Sequence, residues 1–220
     1  MCGRFVIELS PDLLSKVFGV TAPPDFPARY NIAPTQHIPV IRQAQDGTRQ
    51  LDILRWGLVP SWSKELSTGM INARSETVNE KPSFRNAFRH RRCIIPASGF
   101  YEWQKVGNRK IPYYVFMKSH EPMPFAGIWE AWKSPEGQSV ETCAILTAGA
   151  NATVAKLHDR MPVILKAESF NTWLDTDMHD PEALTALLAP CSPEAIVTYP
   201  VSTLVNGVAH DSPECIKEVK

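Results

Sequence analysis

Residues 92–148 read RCIIPASGFYEWQKVGNRKIPYYVFMKSHEPMPFAGIWEAWKSPEGQSVETCAILTA, and their pattern decides the fold. Apolar, aromatic and β-branched residues come in short runs at 92–95, 99–104, 111–118, 125–132 and 140–148. Runs of this length, bounded by turn residues, predict strands rather than helices. Gly107-Asn108 and Glu136-Gly137 mark turns between them. Consecutive strands joined by tight turns pair antiparallel.

The reading extends outward in both directions. Upstream, 37–42 and 50–56 are predicted strands joined through Asp46-Gly47, a hairpin signal, and 2–7 is another strand. Ser10-Pro11-Asp12, then Leu13, Leu14 and Val17, then Gly19, spell a short helix with a cap, a proline in its first turn and a glycine stop. Residues 23–34 read as loop, and 82–89 as a helix with Phe84 and Phe88 on one face. Downstream, 151–158, 169–175 and 181–188 are predicted helices, and 161–165 and 195–199 predicted strands. The expected fold is α+β: one domain over 1–220, with a curled, largely antiparallel, barrel-like sheet and several peripheral helices.

The 220 residues are 44% hydrophobic and 21% charged, the composition of an ordinary globular domain with a proper core. Net charge is zero, so no bulk positive field attracts nucleic acid, and any such contact must come from a local basic patch. No apolar run approaches ~20 residues, and the first residues include Arg4 and Glu8. A cytoplasmic monomer without membrane contact is expected, nucleoid-associated if the source is bacterial. The cysteines are Cys2, Cys93, Cys143, Cys191 and Cys215, with no CxxC among them. That spacing signals neither a disulfide framework nor a metal site, and no cofactor is expected. Cys93 and Cys143 lie in apolar runs and read as core.

Cys2 is different. If Met1 is removed, Cys2 carries a thiol and a free α-amine on adjacent carbons. The amine has an ordinary pKa near ~7.7–8 and the thiol near ~8.5. An aldehyde can form an imine with the amine, and the thiol can close onto the imine carbon as a five-membered thiazolidine. Ring closure within one residue has a large effective molarity. The plainer reading is a small apolar residue at the start of a strand.

Five further clusters mix turn residues with polar groups. They are Ala28-Arg29-Tyr30-Asn31-Ile32-Ala33-Pro34, Trp56-Gly57-Leu58-Val59-Pro60-Ser61-Trp62, Ile71-Asn72-Ala73-Arg74-Ser75-Glu76-Thr77, Pro96-Ala97-Ser98-Gly99-Phe100-Tyr101-Glu102-Trp103 and Leu157-His158-Asp159-Arg160-Met161-Pro162. With the opening Met1-Cys2-Gly3-Arg4-Phe5, they fall in the order that resembles the SRAP (SOS-response-associated peptidase) family, over roughly 2–206. Residues 207–220 carry no family motif.

The resemblance implies a sensor of abasic sites in single-stranded DNA. Its N-terminal cysteine traps the ring-opened deoxyribose aldehyde as a thiazolidine DNA–protein crosslink. The family name records an autopeptidase idea, but ordinary methionine aminopeptidase can remove a Met1 that precedes cysteine. By the same resemblance Cys2 is the nucleophile and Asn72 orients the substrate or the amine. Glu102 is the general acid/base, and His158 hydrogen-bonds the sugar oxygen to favour the open-chain aldehyde. Flanking by Phe100, Tyr101 and Trp103 would desolvate Glu102 and raise its pKa. Arg4 and Arg74 match phosphate-binding positions, with Arg160 a third candidate. Trp62 and Trp103 are candidates for base stacking, and Pro34 and Met161 for packing against neighbouring bases or closing the pocket. Ser63 stands where some members carry a second tryptophan, which removes one stacking contact. The Arg85, Arg89, His90, Arg91, Arg92 run is a further basic candidate, or else the polar face and C-terminal end of a helix.

Each residue also has an ordinary alternative. A glutamate in a strand pairs with an arginine, a histidine at a helix end caps it, and an asparagine before alanine makes a turn. Two other functions fit parts of the pattern. Class II glutamine amidotransferases also open Met-Cys-Gly, but Arg4-Phe5 departs from them. A non-covalent single-stranded DNA module would use Arg74, Trp62 and Trp103 and leave Cys2 structural.

Overall fold

The computed structural model describes residues 2–21 and 23–219. Among the described residues the strands are, in chain order, β1 (Phe5–Ile7), β2 (Arg29–Ile32), β3 (His37–Gln43), β4 (Arg49–Trp56), β5 (Asn72–Arg74), β6 (Arg92–Ala97), β7 (Gly99–Val106), β8 (Arg109–Met117), β9 (Met123–Lys133), β10 (Ser139–Gly149), β11 (Arg160–Pro162) and β12 (Ile196–Pro200). The helices are α1 (Pro11–Phe18), α2 (Arg85–His90), α3 (Phe170–Leu174) and α4 (Pro181–Ala186). The α+β class and the antiparallel pairing are as expected, but the strands form two sheets rather than one.

The first sheet runs β12-β8-β7-β1-β2. Its hairpin β7–β8 pairs Phe100 with Val115 through Val106 with Arg109. Gly107, at φ +59, supplies the positive φ that a two-residue turn with glycine first requires. The second sheet runs β11-β10-β4-β3-β6-β9, with β5 added beside β10. β9 pairs with both β6 and β10, so this sheet curls back on itself. The seams are narrow. β3 meets β6 at Ile41↔Ile94, and β4 meets β10 only at Thr142↔Arg55 and Cys143↔Trp56. The curl therefore stops short of a barrel. β4 and β5 run parallel to β10, and the other named pairings are antiparallel.

The sheets meet through aromatic rings. Phe5 of β1 lies edge-on to Trp56 of β4 at 5.0 Å between centroids, and 6.1 Å from Phe125 of β9. Phe100 of β7 meets Phe125 at 6.1 Å. All four are fully buried. Phe5 and Phe100 face each other across β1 and β7 in register, so the chain's beginning is built into the core.

Local chemistry explains the element ends. Ser10 caps α1 by accepting from the Leu13 N–H, and Gly19 closes it in the left-handed region at φ +67. The helix expected over 151–158 is only a 3-10 turn at Val154–Lys156. There Asn151 turns its side chain onto the backbone, with Oδ1 accepting from the Val154 N–H at 3.0 Å. Such local bonds compete with a continuing helix. The helix expected over 82–89 begins later, at Arg85, where Phe84 offers no side-chain cap. Residues 23–34, read as loop, contain β2, and residues 72–74, in a cluster of turn and polar residues, form β5. Both strands are short, and no tight turn joins either to its partner, which hides them from local patterning.

Cys93 and Cys143 are buried as expected. Burial pushes the Cys93 thiol up to about 12.

Truncating Phe5 should be costly, because it removes edge contacts to two rings in a closed interior. Phe5→Ala is expected to lower the unfolding free energy by about 3–5 kcal/mol, measured by urea denaturation. A loss below about 1 kcal/mol would mean that the sheets are joined elsewhere.

Candidate active site

Cys2 precedes β1 rather than lying in it, and it is 0% exposed. Its carbonyl accepts a hydrogen bond from Asn72 Nδ2 at 2.9 Å. Asn72 is placed by β5, whose residues pair in parallel with Ile145–Thr147 of β10. The preceding residue is pinned as well, since Trp56 Nε1 donates to the Ile71 carbonyl at 3.0 Å. The cluster around Trp56 thus serves the site from a distance. Gly57 sits at φ +131, and a side chain there would meet the Thr68 carbonyl oxygen at 2.2 Å, so only glycine fits. Asn72 Oδ1 is buried and has no hydrogen-bond partner among the described residues.

Burial drives the Cys2 thiol far above its ordinary pKa, and the negative charge of Glu102 pushes it further. An ordinary thiol, as read from the sequence, is therefore corrected: at neutral pH this sulfur is protonated. Glu102 acts on it from β7 and is itself only 3% exposed. Of its flanking aromatics, Phe100 shares its face of β7, while Tyr101 and Trp103 alternate to the other. Tyr101 accordingly packs in a separate cluster with Val6, Tyr114 and Val205. Sequence neighbours in a strand are not neighbours in space, so the predicted aromatic collar around Glu102 is only partly formed.

Glu102 lines an open groove of about 700 Å³ together with Gly3, Arg4, Pro34, Trp103, Lys105, Lys110, Leu157, His158 and Asn206. Residues from well-separated parts of the chain thus converge where the N-terminus enters the fold. Trp103 is held by its edge, with Nε1 donating to Asn206 Oδ1 at 2.8 Å. His158 Nδ1 lies 3.0 Å from the Arg160 backbone nitrogen and 2.7 Å from Asp159 Oδ1. One nitrogen cannot accept from the amide and donate to the carboxylate at once. We assign the backbone bond, because the amide is fixed by the chain while the Asp159 side chain is largely exposed. That assignment puts the ring proton on Nε2.

The other sequence-derived residues fall in different settings. The Arg4 guanidinium donates to Asn31 Oδ1 at 2.8 Å and to the Val205 carbonyl at 2.7 Å, so it braces the groove wall. Arg160 makes a two-pronged pair with Glu76 at 2.6 and 2.8 Å and also donates to the Thr147 carbonyl. Its guanidinium is largely engaged within the protein. Arg74 is exposed on β5, and Trp62 is 68% exposed on the loop after β4. Neither lines the groove. Met161, expected to pack against a base or to close the pocket, does not reach the surface. It is 0% exposed and its sulfur receives the Asn151 N–H at 3.4 Å, so it is core and cannot pack on a base in this structure. In the basic run, Arg92 is buried and donates to the carbonyls of Trp173 and Phe88, and Arg91 pairs with Glu130 at 2.6 Å. Arg85 and Arg89 remain at the surface.

Sequence reasoning missed Asn31 and the C-terminal segment. Asn31 is 0% exposed, and its Nδ2 lies 2.7–3.2 Å from the carbonyls of Val205, Gly207 and His210. Two hydrogens are thus shared among three acceptors. The Asp211 carboxylate accepts from Arg29 and from the N–H groups of Tyr30, at 2.5 Å, and Asn31, at 3.0 Å. Residues 207–220, which carry no motif, therefore include a strap tied to β2. A lone asparagine beside tyrosine offers no sequence signal for a contact 174 residues away.

Among the described residues no group of three or more His, Cys, Asp or Glu is arranged to hold a metal, and no helix is long and apolar enough to cross a membrane.

A family model described as SOS response associated peptidase (SRAP) matches residues 1–208. The Abasic site processing protein YoqW of Bacillus subtilis is 42% identical, covering 99% of each chain. The Abasic site processing protein HMCES of Gallus gallus is 33% identical over 87% of this chain and 66% of its own. A crystal structure of a protein from Bacteroides thetaiotaomicron shares the fold with a TM-score of 0.86 at 24% identity, covering all of both chains. A phage-related protein of Bordetella bronchiseptica gives a TM-score of 0.75 at 29% identity, covering 91% of this chain and 94% of that one.

Removing the Asn31 side chain should loosen the strap. Asn31→Ala leaves the carbonyls of Val205, Gly207 and His210 and the Arg4 guanidinium short of a partner, at a cost of about 2–4 kcal/mol. Limited proteolysis should then cut first within 203–215. Unchanged stability and an intact C-terminal segment would show that the strap is held by other contacts.

Proposed function

The chain belongs to the SOS response associated peptidase (SRAP) family, and on that premise we propose that it processes abasic sites in single-stranded DNA by trapping the ring-opened sugar on Cys2. Relatives at 42% and 33% identity are named for processing abasic sites. The observation that carries the covalent reading is the position of Cys2. It is a buried residue directly after Met1, fastened through its own carbonyl by Asn72 and acted on by the charge of Glu102.

With Met1 removed, the chemistry needs no other nucleophile. The neutral α-amine adds to the aldehyde carbon and gives a carbinolamine. Proton donation to the hydroxyl releases water and leaves an iminium. The Cys2 sulfur then adds to the same carbon, its proton passes to a base, and a thiazolidine closes with one water lost overall. The order follows from electrostatics. A buried, protonated thiol is a poor first nucleophile, whereas the positive iminium beside it favours loss of the thiol proton.

Glu102 is the proton carrier in this reading. It lines the groove and lies close enough for its charge to act on the thiol. Asn72 Oδ1, buried without a partner among the described residues, is an acceptor suited to the amine or to a sugar hydroxyl. His158, with its proton on Nε2, donates to the sugar oxygen and favours the open chain. Trp103 offers a stacking face at the groove wall, and Pro34 lines the same groove. Exposed Arg74 and Trp62 extend contacts beyond it, while Arg4 and Arg160 act mainly by holding the walls.

The test is single-turnover crosslinking to an abasic single strand, resolved on denaturing gels. Cys2→Ala is expected to give no adduct, and a protein that retains Met1 is expected to behave the same. Glu102→Gln keeps the shape and removes the charge, so the rate should fall by ~10²–10⁴-fold while DNA affinity holds. His158→Ala should slow trapping of the natural sugar more than trapping of a small free aldehyde, which has no ring to open. A Cys2→Ala protein that crosslinks like wild type would sink the covalent reading. Equal slowing of both aldehydes would reassign His158 to proton transfer.

A further inference from the structure

Lys105 and Lys110 stand directly opposite each other on β7 and β8, and both are exposed. Directly paired like charges repel and are usually avoided in hairpins. Neither lysine has a carboxylate partner among the salt bridges of the described residues. The local sequence offers none either. From Trp103 to Lys118 the chain carries Lys105, Arg109, Lys110 and Lys118 and no Asp or Glu. A chain of zero net charge thus concentrates positive charge toward the turn end of one hairpin, beyond Glu102.

The hairpin is not remote. Lys105 and Lys110 line the same groove as Glu102, Trp103 and His158. Lys105 lies two residues beyond Trp103 on one strand, so both project from the same face. Gln104 Nε2 donates to the Lys156 carbonyl at 3.2 Å, which ties the hairpin to the turn carrying His158. Meanwhile Arg4 and Arg160 spend their guanidinium groups on protein acceptors.

We propose that Lys105 and Lys110 form a phosphodiester-binding subsite that carries the DNA backbone out of the groove along the β7–β8 hairpin, past the base stacked on Trp103. A backbone phosphate at the pair turns a repulsive contact into a doubly attractive one, and the energy of holding the two charges together is recovered on binding. The assignment rests on the single-stranded DNA reading above and adds to it where the strand leaves.

The experiment compares salt dependence of binding to an intact single-stranded oligonucleotide, which separates affinity from the covalent step. Wild type is compared with Lys105→Gln/Lys110→Gln, with Lys105→Arg/Lys110→Arg, and with Arg85→Gln/Arg89→Gln outside the groove lining. Each single-strand phosphate contact contributes a slope of about −0.7 in log K against log salt. The glutamine pair should make the slope shallower by about 1.4 if each lysine neutralises one phosphate. The arginine pair should keep the wild-type slope, and so should the Arg85/Arg89 variant. The melting temperature of the glutamine pair should equal or exceed that of wild type, because a repulsion has been removed.

An unchanged slope in the glutamine pair, with wild type binding normally, overturns the lysine subsite and leaves the function intact. Transfer of the effect to Arg85 and Arg89 does the same. Absence of salt-dependent binding by wild type overturns both readings. A glutamine pair that melts well below wild type would show the lysines to be structural and would also overturn the subsite.

Discussion

The burial of the segment from Cys2 to Ile7 governs this structure. Phe5 inserts its ring between Trp56 and Phe125, the two aromatic walls of the curled sheet. Three residues earlier, Cys2 is drawn under the surface and held there by Asn72. A terminus normally frays, because nothing repays its loss of entropy. Here the apolar burial of Phe5, Val6 and Ile7 fixes it, and reactive chemistry can be built on a point that would otherwise move. The walls that hold the terminus come from both sheets, which is why the site collects residues from so many parts of the chain.

Much of the fold could be read from alternation and turns. The β7–β8 and β3–β4 hairpins appear with nearly the expected limits, because each is a local pairing around a turn that the sequence announces. The division into two sheets was not legible. It depends on β9 pairing on both its edges and on β1 joining β2 and β7, contacts set by long-range packing. The 151–158 segment misled because its apolar spacing suits a helix, while Asn151 bonds its own turn and stops propagation.

The site divides along the same line. Cys2, Glu102 and His158 were recognisable as motif members, and the structure brings Glu102 and His158 to one groove, with Cys2 bonded to Asn72 and within reach of the Glu102 charge. What the motifs could not convey is how each side chain is employed. Arg4 and Arg160 look like phosphate ligands in a sequence, which is silent on the bonds they also make to Asn31, Val205, Glu76 and Thr147. Met161 looks like a wedge and is core. Asn31 and Asp211, which lash the C-terminal strap to β2, match no pattern because their meaning lies in contacts across most of the chain. Charge in a sequence counts residues, whereas charge available to a ligand depends on which residues are already paired.

A first residue that reacts at two atoms with one aldehyde carbon is the central claim. Intact mass of the protein after incubation with an abasic oligonucleotide, followed by sequencing of the modified peptide, tests it most directly. The expected species lacks Met1 and is heavier by the oligonucleotide less one water. Its modification lies on Cys2, with neither the amine nor the thiol open to alkylation. An unmodified protein, an adduct on a lysine, or an adduct on Cys2 that leaves the thiol open to alkylation would contradict it.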